Sequence, residues 1–229
     1  MKVQIYEIRS IEDAQQAIEA GADHLGIPYD QNPTYPGHLT CEEAKKVFEF
    51  IPSNLLKIGL TISEDINHIQ KNLQAVMPDV LHLSGNIEAI SPEEIEQLKQ
   101  AFKPLKIMQA IPVYADQDLA SQKALDYVRR YEGVSDYFLI DTKSHSEDVI
   151  GATGEIHDWQ IDRAIIESTN VPCIIAGGLS SENVQEAIRI SRPYGVDSFT
   201  STNEDNPIDE KHIKAFKKIR AFVEAAQDA

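Results

Sequence analysis

Two short polar segments follow apolar runs towards the end of the chain. The run 171–176 stops at Gly177–Gly178, and the β-type run 195–200 ends at Thr200–Ser201. Glycines let backbone N–H groups approach an anion, and a helix that begins directly after them adds partial positive charge at its first turn. The two segments therefore predict a site for the phosphate group of a small molecule.

Asp141 is the strongest candidate for acid–base chemistry. It ends the apolar run 137–141 and precedes a long polar connection, 142–157. A carboxylate at such a point can act as a general acid or base, or bind a sugar hydroxyl. The alternative is an aspartate that only caps the connection.

The connection after Asp141 has a glycine-rich centre. Gly151, Thr153 and Gly154 predict a turn that approaches an anion or acts as a hinge. Connections of this length in compact domains are commonly lids or binding loops. A connection that is merely flexible is the other interpretation.

Three further side chains could exchange protons. Tyr6 and Glu7 lie near the end of the first apolar run, and His82 lies within the fourth, VLHLSG. Imidazole titrates near neutral pH, so His82 is a candidate proton carrier or else a buried structural histidine. The sequence has no HExxH, paired CxxC or acidic metal motif, so we expect neither a metal nor a cofactor.

These residues must be positioned by apolar strands that alternate with amphipathic helices. The predicted strands are 3–8, 24–28, 56–61, 80–83, 105–113, 137–141, 173–176 and 196–200. The predicted helices are 11–20, 42–50, 64–76, 92–101, 119–131, 158–168, 182–190 and 210–226. This alternation predicts an α/β fold, a single (β/α)8 TIM barrel over 1–229, with the candidate residues at the carboxyl ends of its strands. An open doubly wound sheet is the alternative, but no GxGxxG follows the first strand.

The composition restricts the partners. A formal net charge of −16 argues against nucleic acid or an anionic membrane surface as the main partner. The chain has no apolar run of membrane-spanning length, and its polar start is unlike a signal peptide. Cys41 and Cys173 fit reduced thiols better than a disulfide framework. We expect a cytoplasmic monomer or homodimer that binds a phosphorylated small-molecule substrate.

Several segments together resemble one known family. VQIYEIRSIEDA, GATGEIHDW, AGGLSSENVQEAI and YGVDSFTS, in this order, are similar to phosphoribosylanthranilate isomerase of tryptophan biosynthesis over essentially the whole chain. The resemblance implies a (β/α)8 barrel that catalyses an intramolecular aldose–ketose rearrangement. It also implies that Asp141 is the general acid that protonates the furanose oxygen. The ribose phosphate would bind at Gly177–Gly178 and Thr200–Ser201, helped by the turn Gly151–Gly154.

Two positions depart from the pattern of that family. Tyr6 stands where the family has the cysteine that acts as general base, and ionising a tyrosine at neutral pH would need roughly 4 kcal/mol from its surroundings. Thr34 stands where the family has the arginine that binds the anthranilate carboxylate.

Three interpretations follow. The first is an isomerase that acts on another phosphorylated sugar or related metabolite, with Asp141 as acid–base group and Glu7, His82 or Tyr6 as its partner. The second is a true phosphoribosylanthranilate isomerase with a substituted base. The third is a barrel that binds a phosphorylated metabolite without catalysis.

Overall fold

Parallel strands form the centre of the molecule. The computed structural model describes residues 1–33, 35, 37–114, 117–143, 158–204 and 213–229, with the backbone alone at 114, 117–121 and 143. The strands are β1 (Lys2–Tyr6), β2 (His24–Asp30), β3 (Leu39–Thr40), β4 (Leu56–Thr61), β5 (Val80–Leu83), β6 (Lys106–Tyr114), β7 (Tyr137–Lys143), β8 (Cys173–Ile175) and β9 (Gly195–Ser198). The helices are α1 (Ile11–Ala20), α2 (Cys41–Phe50), α3 (Ile66–Ala75), α4 (Pro92–Ala101), α5 (Gln117–Tyr131), α6 (Trp159–Glu167), α7 (Val184–Ser191) and α8 (Phe216–Gln227).

All of the strands except β3 close into a barrel. Neighbours pair in the order β1-β9-β8-β7-β6-β5-β4-β2, and β1 also pairs with β2, which closes the ring. The short strand β3 pairs in parallel with the end of β2. The predicted (β/α)8 barrel is confirmed, and the open sheet is excluded because both edges of the ring are paired.

Alternate residues of each strand face the inside and the outside of the barrel. In β7, Ile140 belongs to a large apolar cluster that also includes helix residues, whereas Leu139 belongs to a smaller cluster. The buried members of the smaller cluster are Tyr6, Ile58, Val80, Met108, Leu139, Ile174 and Ala176. These come from strands or strand ends, so this cluster fills the barrel interior. The same alternation assigns several polar side chains to the interior, among them those of Gln4, His82, Asp141 and Asp197.

Polar side chains fix the starts of several helices, among them α1, α2 and α4. Ser10 caps α1, and Thr40 and Ser91 form capping boxes with Glu43 and Glu94 at the starts of α2 and α4. Each cap satisfies N–H groups that have no partner within the helix, which stabilises the first turn. Within the described residues, none of the helices is both long enough and apolar enough to span a bilayer.

Two predicted strands end two residues earlier in the structure. The first, predicted to reach residue 8, ends at Tyr6, and the peptide bond between Tyr6 and Glu7 is cis. The last, predicted to reach residue 200, ends at Ser198 because Thr200–Thr202 form a 3₁₀ turn.

Four predicted helices begin later in the structure, two of them for reasons that the contacts show. The third, predicted from residue 64, begins at Ile66 because the side chain of Asp65 caps it. The last, predicted from residue 210, begins at Phe216. Asn203 and Lys214 instead form an antiparallel bridge, which gives the backbone before α8 an extended rather than a helical form.

Candidate active site

The carboxyl ends of β8 and β9 carry a pair of segments that we call the anion site, defined as Gly177, Gly178, Thr200 and Ser201. Both glycines have positive φ angles, 86° at Gly177 and 62° at Gly178. A Cβ atom at position 177 would lie 2.2 Å from Oγ1 of Thr142, so the backbone geometry and the close contact both require glycine there.

The backbone of the anion site offers unused donors. Among the residues that the structure describes, its four backbone N–H groups donate to no protein acceptor. Two of them belong to the first residues of the 3₁₀ turn, where free N–H groups favour an anionic ligand. Asn183 holds the glycine segment in place, because its Nδ2 donates to the carbonyl of Gly178 at 3.0 Å.

Two interior carboxyl groups lie beside the anion site. Ile175 of β8 pairs with Ile140 of β7 and with Val196 of β9. The next residues of the two outer strands, Asp141 and Asp197, therefore lie at the same level of the barrel. One cavity contacts both, and it is lined by Asp141, Ala176, Gly177, Gly178, Leu179, Asp197, Ser198, Phe199, Thr200 and Ser201. An anion bound here would have both carboxyl groups next to it.

The two carboxyl groups differ in their surroundings. Burial, and secondarily the charge of Asp141, raises the pKa of Asp197 well above its ordinary range. Asp141 is half-buried, and its Oδ1 accepts a hydrogen bond from the N–H of Thr142 at 2.8 Å. That bond stabilises a carboxylate, whereas burial stabilises the neutral acid. Burial therefore favours a neutral Asp197, which is a proton donor beside the second carboxyl group of the cavity, that of Asp141.

Tyr6 and His82 form a separate buried pair inside the barrel. The Tyr6 hydroxyl and Nδ1 of His82 are hydrogen bonded at 2.8 Å. Burial raises the pKa of Tyr6 well above its ordinary value and lowers the pKa of His82 to about 3. Both side chains are thus neutral at physiological pH. Since a general base would need a lowered tyrosine pKa, this geometry disfavours Tyr6 as the base, and His82 is equally unsuited to carry protons.

Glu7 points to another part of the barrel mouth. Its Oε1 would lie 2.0 Å from a Cβ atom at position 37, so its carboxyl group packs against Gly37 in the connection after β2. Burial raises the pKa of Glu7, while the charges of Arg9 and Lys214 partly oppose this shift. Glu7 does not line the cavity that contains Asp141.

The structure therefore brings together some of the predicted site residues and not others. Asp141 and all four residues of the anion site line one cavity, whereas Tyr6 and His82 contact each other and Glu7 lies apart. The predictions for Gly151, Thr153, Gly154 and Thr34 lie outside the described residues. Among the described residues, no group of three or more His, Cys, Asp or Glu side chains is arranged to hold a metal ion.

Sequence reasoning missed two residues next to the site. Asp197 lies in the run GVDS, where the apolar Val196 faces outward and the following residue must face inward. That alternation is a signal that could have found it. Lys214 falls within the region predicted as the start of the last helix, and nothing in the local pattern distinguishes it from the solvated lysines of α8.

Comparison with known sequences gives one family. A sequence model of N-(5'-phosphoribosyl)anthranilate (PRA) isomerase matches residues 3–225. N-(5'-phosphoribosyl)anthranilate isomerase of Haloferax volcanii is 31% identical over 228 residues, covering 100% of this chain and 94% of that protein. N-(5'-phosphoribosyl)anthranilate isomerase 2 of Methanosarcina mazei is 28% identical over 228 residues, covering 100% of this chain and 95% of that protein.

Comparison with solved structures gives the same fold. N-(5'-phosphoribosyl)anthranilate isomerase from Pyrococcus furiosus superposes with a TM-score of 0.79 at 24% identity, and each chain is covered over 100% of its length. The barrel is thus shared along the whole chain, including the strand ends that carry the anion site.

Proposed function

Because the chain belongs to the N-(5'-phosphoribosyl)anthranilate isomerase family, we propose that it is an acid–base isomerase whose substrate is a phosphorylated sugar or a related small metabolite. The proposed rearrangement is of the aldose–ketose type and needs no cofactor, because it only moves protons between neighbouring atoms of one molecule.

One observation carries this proposal: a single cavity combines the anion site with the carboxyl groups of Asp141 and Asp197. Free backbone N–H groups suit the phosphate end of a substrate, and they supply positive potential in a chain whose formal net charge is −16. The carboxyl pair suits proton transfer at the sugar carbons, because burial holds Asp197 neutral as a proton donor and Asp141 lies beside it as the second acid–base group.

The proposed reaction uses both carboxyl groups twice. Asp141 removes the proton from the second sugar carbon while Asp197 gives its proton to the oxygen on the first, which forms an enediol. Asp141 then returns its proton to the first carbon while Asp197 takes the hydroxyl proton from the second, which forms the ketose and restores the pair. The resemblance implies a general acid at Asp141, and in this scheme each group is acid and base in turn.

Tyr6 and His82 have a supporting part in this proposal. Their hydrogen bond lies inside the barrel, and Asp197 lies near Tyr6. We propose that the pair forms a neutral, rigid floor beside Asp197 rather than a proton-transfer route. Glu7 is the remaining alternative partner of Asp141, and its packing against Gly37 argues for Asp197 instead.

A second candidate is isomerisation of phosphoribosylanthranilate itself. It is favoured by the match over residues 3–225 and by relatives with that name over the full chain. The buried hydrogen bond of Tyr6 favours the first candidate, since this residue replaces the thiol base that the family resemblance implies. For either candidate we propose a reducing, cytoplasmic location, which agrees with the free thiols of Cys41 and Cys173. We propose a monomer or a homodimer.

The test is a substrate screen with a matched pair of variants. Purified protein is incubated with phosphoribosylanthranilate and with a panel of aldose phosphates, and products are followed by fluorescence and NMR. We expect slow or absent turnover of phosphoribosylanthranilate and isomerisation of a member of the panel. Asp141→Asn should lower kcat by about 10²- to 10⁴-fold, because it removes one acid–base group. Asp126→Asn, on the exposed face of α5, is the control and should leave kcat unchanged.

Three results would change the proposal. Efficient turnover of phosphoribosylanthranilate would select the second candidate. Undiminished turnover by a folded Asp141→Asn protein would remove the carboxyl pair from the mechanism. Ligand-induced stabilisation by sugar phosphates without any turnover would identify a binding protein rather than an enzyme.

A further inference from the structure

A buried lysine lies behind the anion site. Lys214 is only 2% exposed, and its Nζ donates to the carbonyl of Phe199 at 3.1 Å, to Oγ1 of Thr202 at 3.1 Å and to Oδ1 of Asn203 at 2.7 Å. It also donates to the carbonyl of Tyr6 at the end of β1. All of these partners are neutral acceptors, so Lys214 has no carboxylate in direct contact among the described residues.

These acceptors define the protonation state that fits the site. An ammonium group has three protons to donate, whereas a neutral amine has two and also presents a lone pair. Four acceptors converge on Nζ, so the contacts suit the charged form. Burial nevertheless lowers the pKa of Lys214 to about 7, while the charge of Glu7 partly opposes this shift.

The contacts of Lys214 enclose the 3₁₀ turn of the anion site. Phe199 immediately precedes that turn, and Thr202 ends it. The backbone continues this arrangement, because the N–H of Ala215 donates to the carbonyl of Thr202 at 2.9 Å and the N–H of Glu204 donates to the carbonyl of Ile213 at 2.8 Å. The lysine therefore joins β1, the turn and the segment before α8 at one point.

We propose that Lys214 is a positioning residue for phosphate binding: it fixes the turn so that its free N–H groups face the cavity and places a positive charge behind them. This inference rests on the proposed function, because it assumes that the anion site binds the phosphate monoester of the substrate. The positive charge of Lys214 would also give the anion site its specificity, because it favours a dianionic phosphate over an uncharged sugar.

The test measures binding of inorganic phosphate by calorimetry to the wild-type chain and three variants. Lys214→Met keeps much of the side-chain length without the charge, and we expect phosphate to bind about tenfold more weakly or worse. Lys217→Met, on the exposed surface of α8, is the matched control and should bind phosphate like the wild type. Asn203→Ala keeps the lysine and removes one of its acceptors, and we expect a weakening of a few fold.

The outcomes separate this inference from the proposed function. If the wild type binds no phosphate, the anion site fails and the inference fails with it. If the wild type and a folded Lys214→Met protein bind phosphate equally, only the role of Lys214 is overturned. If Lys214→Met does not fold, Asn203→Ala decides, and unchanged phosphate affinity there overturns the inference. In the active enzyme, a raised KM with little change in kcat would support positioning of the phosphate.

Discussion

Removing the Tyr6 hydroxyl separates a structural role from a catalytic one. Tyr6→Phe keeps the ring in the barrel interior and deletes the 2.8 Å hydrogen bond to Nδ1 of His82. Nε2 of His82 has no partner among the described residues, so the variant leaves the buried imidazole without hydrogen bonds. An unsatisfied buried polar group costs about 1–3 kcal/mol. We therefore expect the free energy of unfolding to fall by that amount.

The assay is equilibrium unfolding in urea, followed by circular dichroism and by the fluorescence of Trp159. For a chain of this size each kcal/mol corresponds to a decrease in Tm of about 2–4 °C. Tyr194→Phe is the control, since Tyr194 is 40% exposed and its change should stay within about 0.5 kcal/mol. Replacing both partners, in Tyr6→Phe combined with His82→Leu, should recover part of the loss because no polar group is then left unpaired.

The same variant decides whether Tyr6 takes part in catalysis. A neutral tyrosine bonded to a neutral histidine transfers no proton to substrate, so kcat of Tyr6→Phe should stay within a few fold of the wild type. A loss of kcat of about 10²-fold or more in a folded protein would refute this reasoning and identify Tyr6 as the general base. An unchanged free energy of unfolding would refute the stabilising role of the hydrogen bond.

Two further predictions concern the same region. The pKa of His82 is about 3 in the folded chain and ordinary in the unfolded chain, so its contribution to stability is complete above pH 6.5 and is lost as the pH falls towards 3. Between pH 7 and pH 4 the wild type should lose about 3 kcal/mol more than His82→Gln in urea unfolding, and parallel pH curves would contradict this. In Gly26→Ala a Cβ atom would lie 2.0 Å from the Tyr6 ring, so we expect a loss of about 1–3 kcal/mol in thermal melting. When both proteins compared carry Tyr6→Ala, Gly26→Ala should cause little further loss of stability. A similar further loss in that background would show that the ring is not the obstacle.

The barrel could be predicted from the sequence because its signals are local. Strand runs alternate with amphipathic segments, and the caps at Ser10, Thr40 and Ser91 mark helix starts within a few residues of sequence. The ends of β1 and β9 were less predictable, since the apolar pattern continues past the point where pairing stops. There the 3₁₀ turn at Thr200–Thr202 replaces the strand.

The sequence predicted Asp141 and the anion site, which share one cavity, but not the contacts of the other interior polar residues. Gly177 and Gly178 carry their own signal, because both have positive φ angles and position 177 also lacks room for a Cβ atom. The contact between Tyr6 and His82 joins residues far apart in the chain, and it depends on the space that Gly26 leaves for the tyrosine ring. The residues next to Tyr6 and His82 in the sequence do not indicate that these two side chains are in contact.

Asp197, the proposed catalytic partner of Asp141, was missed because its position also depends on contacts between distant parts of the chain. Asp197 is recognisable as an interior residue only once β9 is placed in register with β8 and β7. Its raised pKa then follows from burial and from Asp141, neither of which is visible along the chain. The role of Lys214 likewise requires the antiparallel bridge to Asn203, which the predicted helix did not allow.

The most direct test of the carboxyl pair is the turnover of Asp197→Asn. Asparagine keeps the shape of the neutral aspartic acid but lacks its acidic proton, so the fold should be retained. With the substrate found in the screen, we predict a decrease in kcat of about 10²-fold or more, comparable to that of Asp141→Asn. A folded Asp197→Asn protein with wild-type kcat would contradict the central claim that Asp141 and Asp197 act together.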